Sequence, residues 1–120
     1  MTLFDRDSVP EFSKDLRKLK IPSIEQDLTN FEKAFEVDKT KLTGVVQIPG
    51  LQGKGVSSSI YKATKFRCKF LQSGSKSGVR VIFAYGKEED KLIYIEIYKK
   101  NQQTNHDESR ILKYFKSSDK

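Results

Sequence analysis

The chain has 120 residues, enough for one compact core and too few for two. Its 23 lysines and arginines against 16 acids leave a net charge of +7, its one cysteine excludes an intramolecular disulfide, and its one histidine leaves too few soft ligands for a zinc site. No apolar run approaches the roughly 20 residues of a membrane span, and the first residues are charged where a signal peptide is apolar, so a reducing, cytoplasmic setting is expected, with no membrane and no metal partner.

The first expected element is a helix opening at Ser8-Val9-Pro10-Glu11, where Ser8 caps, Pro10 fits the first turn and Glu11 closes a capping box. Phe12, Leu16 and Leu19 follow at helical spacing. Pro22 breaks that run, and a second helix begins at Ser23, with Ile24, Leu28, Phe31 and Phe35 forming one apolar stripe. From Leu42 the period changes. Val45 to Ile48 reads as a short strand and Pro49 to Gly55 as a turn-rich loop. Three strands rich in β-branched and aromatic residues then span Ile60 to Leu71, Val79 to Tyr85 and Leu92 to Tyr98, joined by connections short enough for hairpins. A last helix is expected after an Asn105 cap, with Ile111, Leu112 and Phe115 on its apolar side. This order predicts one α+β domain over residues 1–120: two N-terminal helices on one face of a small antiparallel sheet, and a short C-terminal helix.

The charge is segregated along the chain. Residues 1–58 carry 9 basic and 9 acidic side chains, residues 59–120 carry 14 and 7, and Ser59 to Gly86 holds six basic residues and no acid. Such segregation points to a polyanionic partner. Strand alternation assigns Tyr61, Ala63, Lys65, Arg67 and Lys69 to one side of the first long strand and Ile60, Phe66, Cys68 and Phe70 to the core. Ile93, Ile95 and Ile97 read as the core series of the last strand, with Tyr94, Glu96, Tyr98 and Lys100 opposite. The expectation is therefore one open face carrying Lys65, Arg67, Lys69, Arg80, Tyr98 and Lys100.

These residues carry a family resemblance. Ser8 to Leu19 (SVPEFSKDLRKL) is similar to the opening helix of RelE/ParE toxins. Lys76-Ser77-Gly78-Val79-Arg80-Val81-Ile82-Phe83 resembles the family's basic hairpin and arginine strand, and Leu92 to Lys100 resembles the strand that follows, ending in a tyrosine and a lysine. The likeness is to the HigB-like and RelE-like ribonucleases. It implies the toxin of a toxin-antitoxin pair, a metal-independent endoribonuclease (an mRNA interferase) that cuts mRNA, in many members on the ribosome, and is restrained by a cognate antitoxin.

RNA cleavage without a metal relies on the ribose 2′-hydroxyl as nucleophile, on groups that move its proton, and on cations that stabilise charge on phosphorus. Arg80, Arg67, Lys69 and Lys100 are the expected catalytic group, with Arg80 foremost, because guanidinium forks suit phosphate and a lysine crowded by cations can exchange a proton near neutral pH. Lys65, Tyr98, Lys76 and Lys54 are expected to bind substrate, Tyr98 by stacking on a base or by orienting the 2′-hydroxyl. Glu96 reads as an ion-pair partner for Arg80 or Arg67, with a general base as the alternative, His106 as a solvated or capping residue, and Cys68 as core packing. Two alternatives use the same composition: a gyrase-inhibiting toxin of the ParE kind, and a basic module that binds RNA or the ribosome without chemistry.

Overall fold

The computed structural model describes residues 1–71 and 77–117. Its elements are β1 (Leu3–Asp5), α1 (Glu11–Leu19), α2 (Ile24–Asp38), β2 (Val45–Gln47), β3 (Ile60–Ala63), β4 (Val79–Gly86), β5 (Lys91–Lys99) and α3 (Glu108–Phe115). The strands form one sheet in the order β1-β5-β4-β3-β2. β1 runs parallel to β5 and the other pairs are antiparallel. The expected α+β class, with two N-terminal helices and a short C-terminal one, is the class observed. β1 lies outside the expected elements, since three residues are too few to show a period.

The sheet is covered on both sides. Phe12, Leu19, Leu28, Phe31 and Phe35 of α1 and α2 pack on Val79, Val81, Phe83, Tyr85, Leu92, Tyr94 and Ile97. Phe12 stacks on Tyr94 with ring centroids 4.9 Å apart, and Phe35 meets Phe83 edge-on at 5.5 Å. On the reverse face a second cluster joins Ile60, Ile82, Ala84, Ile95 and Tyr98 to Ile111 of α3 and to Leu51 and Val56 of the long loop before β3. Chain alternation suits this arrangement, because β4 is buried along nearly its whole length rather than on every second residue. The expected single open face is corrected accordingly.

The expected isoleucine series of β5 is also corrected. Phe83 lies opposite Tyr94 but Ile82 lies opposite Glu96, so Ile95 is an extra residue, a β-bulge. Before it, Leu92 and Tyr94 face α1 and α2; after it, Ile97 does, while Ile95 and Tyr98 belong to the α3 cluster. The bulge coincides with a second irregularity. β1 pairs only with Lys91, Leu92 and Ile93, so the rest of β5 has no strand on that side. An ion pair stands in for the missing strand. The Asp15 carboxylate of α1 accepts from the Ile97 N–H at 3.3 Å, Arg110 of α3 donates to the Ile95 carbonyl at 2.9 Å, and the two side chains join at 2.6 Å. Both are largely buried, at 14% and 12% side-chain exposure.

The strand expected over Ile60 to Leu71 ends at Ala63. After it the backbone is claimed by polar groups of α2 instead of a neighbouring strand: the Lys69 N–H donates to Asp27 at 3.1 Å and the Phe70 N–H to the Ser23 hydroxyl at 2.9 Å. Phe66 and Cys68 still reach the core, as expected, but Phe70 is 53% exposed. Gly44, in the turn that leads into β2, permits the close approach of the segment that leaves β3. It has φ +86°, and a Cβ there would lie 2.7 Å from that of Lys65. Caps differ from expectation as well. The Ser8 hydroxyl donates to Asp5 rather than capping α1, and α3 is capped by Asp107, whose side chain accepts from the Arg110 N–H, rather than by Asn105. Among the described residues no helix is long and apolar enough to cross a membrane.

Asp15→Ala should lower stability by about 3 kcal/mol, because it strands a buried guanidinium and frees the Ile97 N–H. Replacing Asp15 by Leu and Arg110 by Met together should recover part of that loss. Urea denaturation of the three chains checks both statements, and an Asp15→Ala chain as stable as the parent would show that the edge closes without this pair.

Candidate functional site

The basic residues of the second half separate into two groups. Arg80 and Tyr98 lie directly opposite each other on β4 and β5, on the α3 side of the sheet. Lys62 of β3 shares that side, since its cross-strand partner is Ile82 of the α3 cluster. The Nη1 of Arg80 donates to the Thr64 carbonyl at 2.9 Å, which anchors the guanidinium where β3 ends. The Nζ of Lys62 donates to Asn105 Oδ1 at 2.9 Å. Among the described residues neither Arg80 nor Lys62 forms an ion pair.

Glu96, expected to pair with an arginine, is instead 3% exposed and tied to the loop that enters α3. It accepts from Gln103 Nε2 at 2.7 Å and from the Asp107 N–H at 2.8 Å. A carboxylate fixed this way shapes the site and offsets the Lys62 charge only in part. Burial and the neighbouring Arg80 hold the Lys62 ammonium below the usual lysine range, against an opposing pull from Glu96. Burial and then Glu96 raise the Tyr98 phenol, and Arg80 works the other way. Tyr98 is only 6% exposed, so the expected stacking on a base is corrected: its ring supports the site from beneath.

His106 differs from its expected solvated role. Among the described residues its Nδ1 is buried with no hydrogen-bond partner, and burial, followed by the nearby Lys62 charge, holds the imidazole below its ordinary value of 6.5. Lys100 is exposed just after β5, held there by its N–H donating to the Gly78 carbonyl at 2.8 Å.

Lys65, Arg67 and Lys69 are not in this group. All three are exposed on the segment after β3, and Lys65 and Arg67 line a cleft against α2, on the opposite side of the sheet from Arg80. The expectation that they converge with Arg80 is corrected: the register that sets Lys62 opposite Ile82 puts the even residues of β3 on the side of Arg80, so alternation itself carries the odd-numbered Lys65, Arg67 and Lys69 toward the other face, and β3 ends before it reaches them. Lys54 is engaged by Glu108 at the start of α3. Lys76 lies outside the described residues. The structure thus joins Arg80 and Tyr98 of the expected set, places Lys100 after the same strand as Tyr98, and adds Lys62, Glu96 and His106. Lys62 sits on the strand side that alternation assigned to the core; the signal that marks it is that it is the one charged residue in Ile60-Tyr61-Lys62-Ala63.

Among the described residues no group of three or more His, Cys, Asp and Glu side chains is arranged to hold a metal ion. No protein-family model matches the sequence, and no curated protein or solved structure matches the chain.

A histidine held below its ordinary value resists protonation in the fold and accepts it when unfolded. The unfolded chain therefore binds more protons as pH falls through 6.5 toward the folded value, and stability drops over that window. His106→Gln should flatten this acid limb while leaving stability at pH 8 little changed. Melting curves from pH 8 to pH 5 test it, and an unaltered limb in the variant would assign the loss to other groups.

Proposed function

We propose that this chain is a cytoplasmic toxin of the RelE type: a metal-independent endoribonuclease that cleaves mRNA by attack of the 2′-hydroxyl, on or off the ribosome, and is restrained by a cognate antitoxin. The observation that carries this reading is the pair Lys62 and Arg80, two cations on one face with no carboxylate paired to either among the described residues and with Lys62 pushed toward its neutral form. Like charges brought together at the edge of a core raise the free energy of the folded protein, and a bound phosphate relieves it.

In this reading Arg80 binds the scissile phosphate and stabilises the charge that grows on its oxygens. Lys62 in its amine form takes the proton from the 2′-hydroxyl, the 2′-oxygen bonds to phosphorus, and the bond to the 5′-oxygen breaks. The departing oxygen takes a proton from the Lys100 ammonium or from water. The products are a 2′,3′-cyclic phosphate and a free 5′-hydroxyl. Glu96 positions the loop 101–107 through Gln103 and Asp107 and takes no part in the proton transfers. The excess of positive charge in residues 59–120 attracts the substrate strand from a distance.

The purified chain should cut mRNA in excess chelator, with or without ribosomes, leaving cyclic phosphate ends. Arg80→Ala should slow cleavage by roughly a hundredfold, as loss of one charge-stabilising donor does. An Arg80→Ala chain that cleaves as fast as the parent refutes the proposal.

Lys62 yields a separate test through pH. Its lowered value means the amine form accumulates at a pH below 10.5, so the cleavage rate should climb with pH until Lys62 is neutral and then level. Lys62→Arg keeps the positive charge and should abolish the rising limb; a limb that survives in the variant removes Lys62 from proton transfer.

A further inference from the structure

Across the sheet from Arg80, a cleft of about 330 Å³ opens between α2, the turn leading into β2 and the segment after β3. Phe31, Ala34, Leu42, Val45 and Phe66 make an apolar floor, and Lys65 and Arg67 stand at its rim. Both cations are exposed, and among the described residues neither is in an ion pair. Lys41 and Lys69, one residue before Leu42 and two after Arg67, are exposed as well, and among the described residues neither is in an ion pair.

The shape and lining restrict what fits. The volume is at the lower end of the roughly 300–1,000 Å³ of small-ligand sites, the space of one or two bulky side chains. One carboxylate, Asp27, lines the cleft, but it is 2% exposed and engaged by the Ser23 hydroxyl at 2.8 Å and the Lys69 N–H. A buried carboxylate whose oxygens are already engaged offers no donor to a phosphate that must follow a nucleobase inward, whereas it leaves an uncharged aliphatic or aromatic side chain unaffected. Apolar depth with cations confined to the rim is the complement of a peptide with an apolar anchor flanked by acids.

We propose that this cleft is the docking site for an acidic segment of a partner protein, which seats one leucine, isoleucine, methionine or phenylalanine side chain against Phe31 and Phe66 and brings its carboxylates to Lys65 and Arg67. The surface lies apart from Lys62 and Arg80, so the segment binds whether or not the chain cleaves RNA.

The test is selection of short random peptides on the full chain, followed by anisotropy measurements on the best synthetic peptide. Selected peptides should share an apolar residue between acids and weaken as salt rises. Ala34→Phe, which fills the cleft, and Arg67→Glu, which reverses its rim, should each weaken binding by about tenfold or more. If Ala34→Phe fails to fold by circular dichroism, Asn30→Trp at the exposed mouth of the cleft replaces it. Arg80→Ala should bind the peptide as the parent does, which separates this result from the fate of the nuclease reading. Peptides without the acidic and apolar pattern, or binding indifferent to both cleft variants, overturn the proposal. So does an RNA oligonucleotide that loses binding in the cleft variants while the peptide does not.

Discussion

The edge of β5 is the constraint on which the molecule is built. A strand with an open side must find partners for its backbone groups or leave them buried without any, and each such group costs about 1–3 kcal/mol. Here β1 stops after three residues of pairing, and the task passes to Asp15 and Arg110. Because one comes from α1 and the other from α3, the same contact fixes both helices to the bulge at Ile95. Burial and then the Asp15 hydrogen bond act in opposite senses on Arg110, and the guanidinium is held above its usual range.

The candidate site follows from that bulge. Without the extra residue, strand alternation would send Tyr98 toward α1 and α2 and Ile97 toward α3. With it, Glu96 and Tyr98 come to the α3 side, where Glu96 holds Gln103 and the start of α3, and Tyr98 lies under Arg80. A local defect of pairing is therefore what brings a buried carboxylate and Tyr98 to the side of the sheet on which the regular β3–β4 register already sets Lys62 and Arg80. Bulges that re-aim side chains beside functional sites are common for this reason.

Two cationic surfaces on opposite sides of one sheet give the net charge a structural meaning that a single patch would not. The Lys62 and Arg80 group is partly buried and anchored by backbone and amide oxygens, which suits tight, oriented contact with a phosphate. The Lys65 and Arg67 rim is exposed around an apolar cleft, which suits a partner that brings its own hydrophobic anchor. The short β3 and the polar start of α2 divide the two. Asp27 and Ser23 take the backbone N–H groups of Lys69 and Phe70 and turn that segment away from the sheet.

By itself the sequence determined the α+β class, the two amphipathic N-terminal helices, the strand-rich middle, the final helix and the concentration of positive charge after Ser59, because period, turn residues and charge are local properties written in consecutive residues. It also marked Arg80 and Tyr98, which are cross-strand neighbours. The tertiary structure alone decided which side of the sheet each strand residue faces. A bulge in β5, an early end to β3 and a helix on the second face depend on hydrogen bonds between residues far apart in the chain, such as Asp15 with Arg110, 95 positions on, and Glu11 with Tyr114, 103 positions on. Alternation counts residues within one strand and has no access to such bonds, so Lys62 was missed and Lys65, Arg67 and Lys69 were grouped with a site they do not share.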